Sequence, residues 1–237
     1  MRPMRIAHIS DLHLSAEHHR KHVRYAKRLI AYAQDQEVDH FVITGDIAAN
    51  AEKKDFELAR HMLRAQGLLD PKKLTLVIGN HDIFGGVHVP EDVLSFPKRC
   101  KHVDYGEKVE LFRHTFREAF DKCVAGHPDR LFPFAKILGN LMLVGINSVA
   151  RYSKLGNPIG SNGEVDESEF DRIEMMLSSP LFREKRKIVL IHHHFAKQEA
   201  RTDGTMHSVW TAIEQQTMKL RGKKRLHGPQ RKHYQPQ

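Results

Sequence analysis

Leu74-Thr75-Leu76-Val77-Ile78-Gly79-Asn80-His81-Asp82 is a β-prone run that stops at a glycine and then three polar side chains. The run is too short for a helix, and its β-branched and apolar residues suit a buried strand. The same pattern recurs on both sides. Upstream, Phe41-Val42-Ile43-Thr44 halts at Gly45-Asp46, and Met4-Arg5-Ile6-Ala7-His8-Ile9-Ser10 halts at Asp11-Leu12-His13. Downstream, Lys187-Ile188-Val189-Leu190-Ile191 ends in His192-His193-His194. Between the first three runs lie two stretches of helical period. Residues 22–34 place Val23, Ala26, Leu29, Ile30 and Ala33 on one face, and residues 53–66 do so with Phe56, Leu58, Ala59, Met62 and Leu63. Strands alternating with helices predict an α/β fold.

The rest of the chain is read outward from this frame. Residues 84–130 are less regular and are expected to lie over the front of the domain, with one helix at 108–125 whose Phe112, Phe116 and Phe120 pack on the body. A hairpin is predicted where Phe134-Ala135-Lys136-Ile137 turns at Gly139-Asn140 into Leu141-Met142-Leu143-Val144-Gly145-Ile146. Residues 151–163 read as a loop. Asp166 caps a predicted helix at 167–177, with Glu169 completing a capping box. No repeat or low-complexity linker interrupts the chain, so residues 1–237 read as a single domain.

Composition narrows the function classes. The 38 Lys and Arg against 29 Asp and Glu leave +9, of which Lys219, Arg221, Lys223, Lys224, Arg225, Arg231 and Lys232 contribute +7. A near-neutral body with a basic end argues against a general nucleic-acid binder. No apolar run approaches the roughly 20 residues of a membrane-spanning helix. His8 and Asp11 interrupt the place where an export signal carries its apolar stretch, so a cytoplasmic protein is expected. Cys100 and Cys123 fit no metal or redox spacing.

The chemistry sits at the strand ends, where open α/β sheets collect their ligands. Asp11 and His13 stand two apart on an extended segment and face the same way. Asp46 has two oxygens and can bridge two cations, while Asn80 offers a neutral one. Mixed imidazole and carboxylate donors suit Mn, Fe, Zn or Ni rather than Ca. Two such ions about 3.5–4 Å apart activate a water and neutralise both oxygens of an in-line displacement at phosphorus. His81 is placed to stabilise the phosphoryl oxygens or protonate the leaving group, with Asp82 fixing its tautomer. His18, His19, His22, His40, His61, His88, His102, His114 and His127 read as surface or core histidines.

Asp11-Leu12-His13, Gly45-Asp46, Gly79-Asn80-His81-Asp82 and the strand ending in His192-His193-His194 resemble the calcineurin-like metallophosphoesterases, over roughly residues 4–195. Ile146-Asn147-Ser148 and Gly163-Glu164-Val165-Asp166 are similar to the bacterial cyclic-nucleotide phosphodiesterase-like branch. The resemblance implies a four-layer α/β/β/α sandwich. It implies two divalent metals, the first on Asp11 and His13, the second on Asn80, with Asp46 between them and His81 catalytic. The strand-end ligand it implies is His193, with His192 as the alternative. The implied reaction is hydrolysis of a small phosphodiester by a metal-bridging water. A UDP-2,3-diacylglucosamine pyrophosphatase-like enzyme, or a catalytically weakened phosphate- or partner-binding relative, are the alternatives.

One motif departs from that family. Where its Gly-His-x-His loop supplies two further ligands, this chain reads Arg225-Leu226-His227-Gly228-Pro229-Gln230-Arg231. Three readings stay open: a truncated end at 219–237, with the second sheet incomplete; replacement ligands among His207, His227 and His233; or a decayed site. With one ligand fewer per ion, weak Mn-dependent activity is expected.

Overall fold

A computed structural model describes residues 2–88 and 90–194. Among the described residues, those up to His193 belong to one compact unit. The basic end at 219–237, its departed loop, and His207, His227 and His233 all lie outside the described residues.

The first three apolar runs form a parallel sheet in the order β1 (Ile6–Ile9), β2 (His40–Thr44), β3 (Leu74–Val77). Every residue of β2 and β3 is buried, as expected of a parallel sheet covered on both faces. The crossovers are helices α1 (Lys21–Asp35) and α2 (Lys53–Ala65). The apolar stripe of α2 buries Phe56, Ala59, Met62 and Leu63.

The next helices are α3 (His81–Phe84), α4 (Pro90–Lys101), α5 (Tyr105–Thr115) and α6 (Arg117–Phe120). The second sheet runs β4 (Val124–His127), β5 (Arg130–Leu138), β6 (Leu141–Gly145), β7 (Arg186–Leu190). The predicted hairpin is β5–β6, closed by Leu138 opposite Leu141 with Gly139 at φ +61°. β6 and β7 are parallel and joined through α7 (Glu167–Ser178) and α8 (Pro180–Arg183). The sheets are bolted together by Lys136 of β5. Its buried ammonium donates to the carbonyls of Leu74, on β3, and of Ala119, the latter at 2.6 Å. This is the expected two-sheet α/β architecture. Among the described residues no helix is long and apolar enough to cross a membrane.

Two local expectations are corrected. The single helix at 108–125 is instead α5, α6 and part of β4. It starts earlier, because the Asp104 carboxylate caps it by accepting the Glu107 N–H at 2.9 Å. It breaks after Thr115, whose hydroxyl bonds back to the Leu111 carbonyl at 2.7 Å, and Phe116 leaves helical geometry. That break still seats Phe112 and Phe116 edge-on to Phe56, each at 6.0 Å.

The capping box at Asp166 does not form either. Asp166 caps α7 through the Ser168 N–H at 2.7 Å, but Glu169 turns inward. Only 7% exposed, Glu169 accepts the Asn147 N–H at 2.9 Å just past the end of β6, a donor with no ladder partner. Burial pushes its carboxyl from the ordinary 4.5 up to about 7. A raised folded-state pKa means stability present below pH 4.5 and lost as pH rises through about 7. Urea unfolding at pH 5 and pH 8 is therefore expected to differ more in the parent than in Glu169→Gln, by on the order of 3 kcal/mol. Equal pH dependence in both proteins contradicts the assignment.

Candidate metal centre

Parallel pairing brings the ends of β1, β2 and β3 level, with Ile9 opposite Ile43 and Thr44 opposite Val77. The chain leaving β1 then runs along the chain leaving β2. Asp11 N–H donates to Gly45 O at 3.2 Å and His13 N–H to Asp46 O at 2.9 Å. These bonds hold Asp11, His13 and Asp46 at φ +57°, +43° and +52°, the left-handed region that side chains with a Cβ rarely occupy. Such strain persists where surrounding structure imposes it, and here it falls on three neighbouring polar residues.

Their side chains converge with those from β3 and β7. His13, Asp46 and His81 form one donor set and Asp11, Asp46 and His192 another, the donor atoms of each set lying within 4.8 Å of one another. Asp46 is common to both. Its Oδ2 lies 3.8 Å from His13 Nε2 and 4.0 Å from His81 Nε2, and its Oδ1 lies 3.4 Å from His192 Nε2. Asp11 Oδ1 is 3.7 Å from His13 Nε2. Asn80 joins through its Oδ1, 3.0 Å from His192 Nε2.

The electrostatics suit a cation. Burial, then the nearby His81, pushes His13 down to about 4, and burial likewise lowers His81. Burial raises Asp46. The pocket thus disfavours both imidazolium and carboxylate, so it holds lone pairs and a strained negative charge. A divalent ion relieves both costs at once, and the donor set fits it.

Two roles expected from the sequence change. Asp82 does not hold the His81 ring. Fully buried, its carboxylate accepts the Ala48 N–H at 2.8 Å and the Gly79 N–H at 2.9 Å, tying the loops after β2 and β3. His81 Nδ1 faces the Ala49 carbonyl at 3.3 Å instead. At the end of β7, His192 stands in the centre, with Nδ1 on the Thr44 carbonyl at 2.8 Å. His193, the ligand implied by the resemblance, belongs to neither donor set, and its Nδ1 meets Ser148 Oγ at 2.8 Å.

Other contributors play parts that the sequence does not reveal. Gly45 and Gly79 are required by close approach: a Cβ on Gly45 would lie 2.5 Å from His192 Nδ1, and one on Gly79 would strike Asp46. Tyr105 fastens the loop that presents Ser148, donating to Val149 O at 2.7 Å and accepting from Asn147 Nδ2 at 2.8 Å. Nothing in the residues around Tyr105 points to that part.

A two-sheet α/β fold with carboxylate, amide and imidazole donors gathered at its strand ends defines a metal-dependent phosphoesterase class. The calcineurin-like phosphoesterase family matches residues 4–221, and the chain belongs to it. Among solved structures, a dimetal phosphatase from Danio rerio is similar at 12% identity and a TM-score of 0.47, covering 80% of this chain and 69% of that one. A metallophosphoesterase from Sphaerobacter thermophilus is similar at 20% identity and a TM-score of 0.26, covering 60% of this chain and 46% of that one. No curated protein sequence matches.

Proposed function

We propose that this protein hydrolyses a small phosphodiester at a centre of two divalent cations (Mn, Fe, Zn or Ni). Asp11 and His13, 3.7 Å apart, would hold one and Asn80 and His192, 3.0 Å apart, the other, a division taken from the resemblance, with Asp46, common to both donor sets, shared between them. The single observation behind this reading is the division of Asp46, with one carboxylate oxygen facing His13 and His81 and the other facing His192. Bound there, the cations supply Lewis-acid charge at the phosphoryl oxygens and lower the pKa of water.

The chain's own residues do the rest. His81, its Nδ1–H on the Ala49 carbonyl, directs Nε2 at the reacting group, and it donates a proton to the leaving oxygen only once the negative charge of a bound phosphate ester has offset burial and protonated Nε2. Its backbone N–H, held by Asp46 Oδ1 at 2.8 Å, fixes the ring's distance from the carboxylate. Asp82 keeps the two loops in register beneath them.

Turnover of bis(p-nitrophenyl) phosphate in added Mn tests this reading. His192→Ala is expected to lose on the order of a hundredfold or more, since a ligand outweighs an outer-shell partner whose loss costs about 10–100-fold. His193→Ala is expected to lose less. The reverse order gives the ligand position to His193, and no turnover by the parent at any metal concentration contradicts the reading.

A further inference from the structure

A second group of imidazoles borders this centre without including its proposed ligands. His18 and His19 lie in the loop after β1, His22 in the first turn of α1 and His88 in the loop after α3. His18 stacks on His88 at 4.6 Å between ring centroids, and His19 on His22 at 5.0 Å. His19 lies 5.6 Å from His88 and 6.4 Å from His18. The turn that gathers them is strained, with His19 at φ +52°.

Two of the four rings are already oriented by an oxygen acceptor. His22 Nδ1 faces the His13 carbonyl at 3.1 Å, and His88 Nε2 bonds to Asn50 Oδ1. Each ring therefore donates its N–H inward and keeps the lone pair of its other nitrogen, the arrangement that metal-binding histidines take from their outer partners. Burial and the neighbouring His18 and His19 lower the pKa of His88, which keeps that ring neutral.

With metal–nitrogen bonds of about 2.0–2.1 Å, tetrahedral imidazole ligands place their ring centroids about 5 Å apart. The four close ring pairs fall on either side of that value, although no three of these imidazoles now bring their donor atoms within 4.8 Å of one another. The rings now stack rather than converge, and His18 and His19 are exposed, so each can turn about its own side-chain bonds.

We propose that His18, His19, His22 and His88 form a separate binding site for a borderline transition-metal cation, Zn²⁺ or Cu²⁺, whose preference for imidazole nitrogen matches the donors. The site is independent of the proposed phosphodiesterase reading and does not share its ligands.

Zinc titration of the metal-stripped full-length protein by calorimetry tests it, with the parent beside His18→Asn/His19→Asn. Asparagine tolerates the left-handed position at 19. The double variant is expected to bind one zinc ion fewer, and His88→Gln likewise. Manganese-supported turnover should be unchanged in the double variant. In copper-loaded protein, electron paramagnetic resonance spin counting should find one more nitrogen-ligated copper in the parent than in the variant. Equal zinc counts in parent and double variant overturn the proposal. The comparison holds whether or not the protein turns over a phosphodiester.

Discussion

An Asp46→Asn variant is expected to lose turnover on the order of a thousandfold, because electrostatic stabilisation by the cations is worth several kcal/mol and each tenfold in rate is about 1.4 kcal/mol. The change is nearly isosteric. The asparagine oxygen still accepts the His81 N–H, and asparagine adopts φ near +52° more readily than most residues. Burial that raises the Asp46 carboxyl is a cost which the neutral amide avoids. In chelator the variant should therefore melt no lower than the parent. In excess manganese the parent should gain stability through binding, and the variant should gain much less. Thermal melts with and without metal check this. Lower stability of the variant in chelator would point to a structural role for the carboxylate.

Gly45→Ala is expected to damage fold and site together. At φ +85° an alanine carries roughly 1–2 kcal/mol of backbone strain. Its Cβ would also lie 2.5 and 2.7 Å from the His192 ring and 2.8 Å from the Gly79 Cα. The Gly79 contact is with backbone, so the imidazole has to yield, and it moves off Asp46 and Asn80. Overpacking of this kind adds about 1–3 kcal/mol. A melting point lower by roughly 5–10 °C and turnover down at least about tenfold are expected. Gly67→Ala is the control. It has φ +66° but nothing within 4 Å of the added Cβ, so it should lose some stability and no activity. Equal loss of turnover in both variants would detach the effect from His192.

Much of the fold is legible in the sequence because the decisive signals are local. Each apolar run that stops at Gly or Asp is a strand, and Gly139-Asn140 makes the hairpin turn that its residue types favour. What escapes depends on tertiary context. Pro97 inside α4 hides a helix whose pattern reads as broken. Val124-Ala125-Gly126-His127 has little strand character and becomes β4 by pairing with β5. Glu169 matches a capping motif yet is drawn inward by an unpartnered backbone N–H.

The centre divides in the same way. Asp11, His13, Asp46, Asn80 and His81 lie together because parallel strands end together, a consequence of the alternating pattern itself. The choice between His192 and His193 is not readable from the chain. Adjacent residues at a strand end point to opposite sides, and only the register of β7 on β6, Gly145 opposite Leu190, determines which faces Asp46. Gly45 and Gly79 read as turn residues, since close approach by a remote histidine or aspartate leaves no trace in local sequence. The four-histidine group reads as scattered surface because its members come from three segments.

In the proposed centre the two oxygens of Asp46 serve two cations at once. Electron paramagnetic resonance of the metal-stripped protein refilled with Mn²⁺ tests it most directly. An exchange-coupled manganese pair is expected in the parent and no coupled signal in Asp46→Asn. Isolated, uncoupled manganese in the parent, or the same coupled pair in the variant, would contradict it.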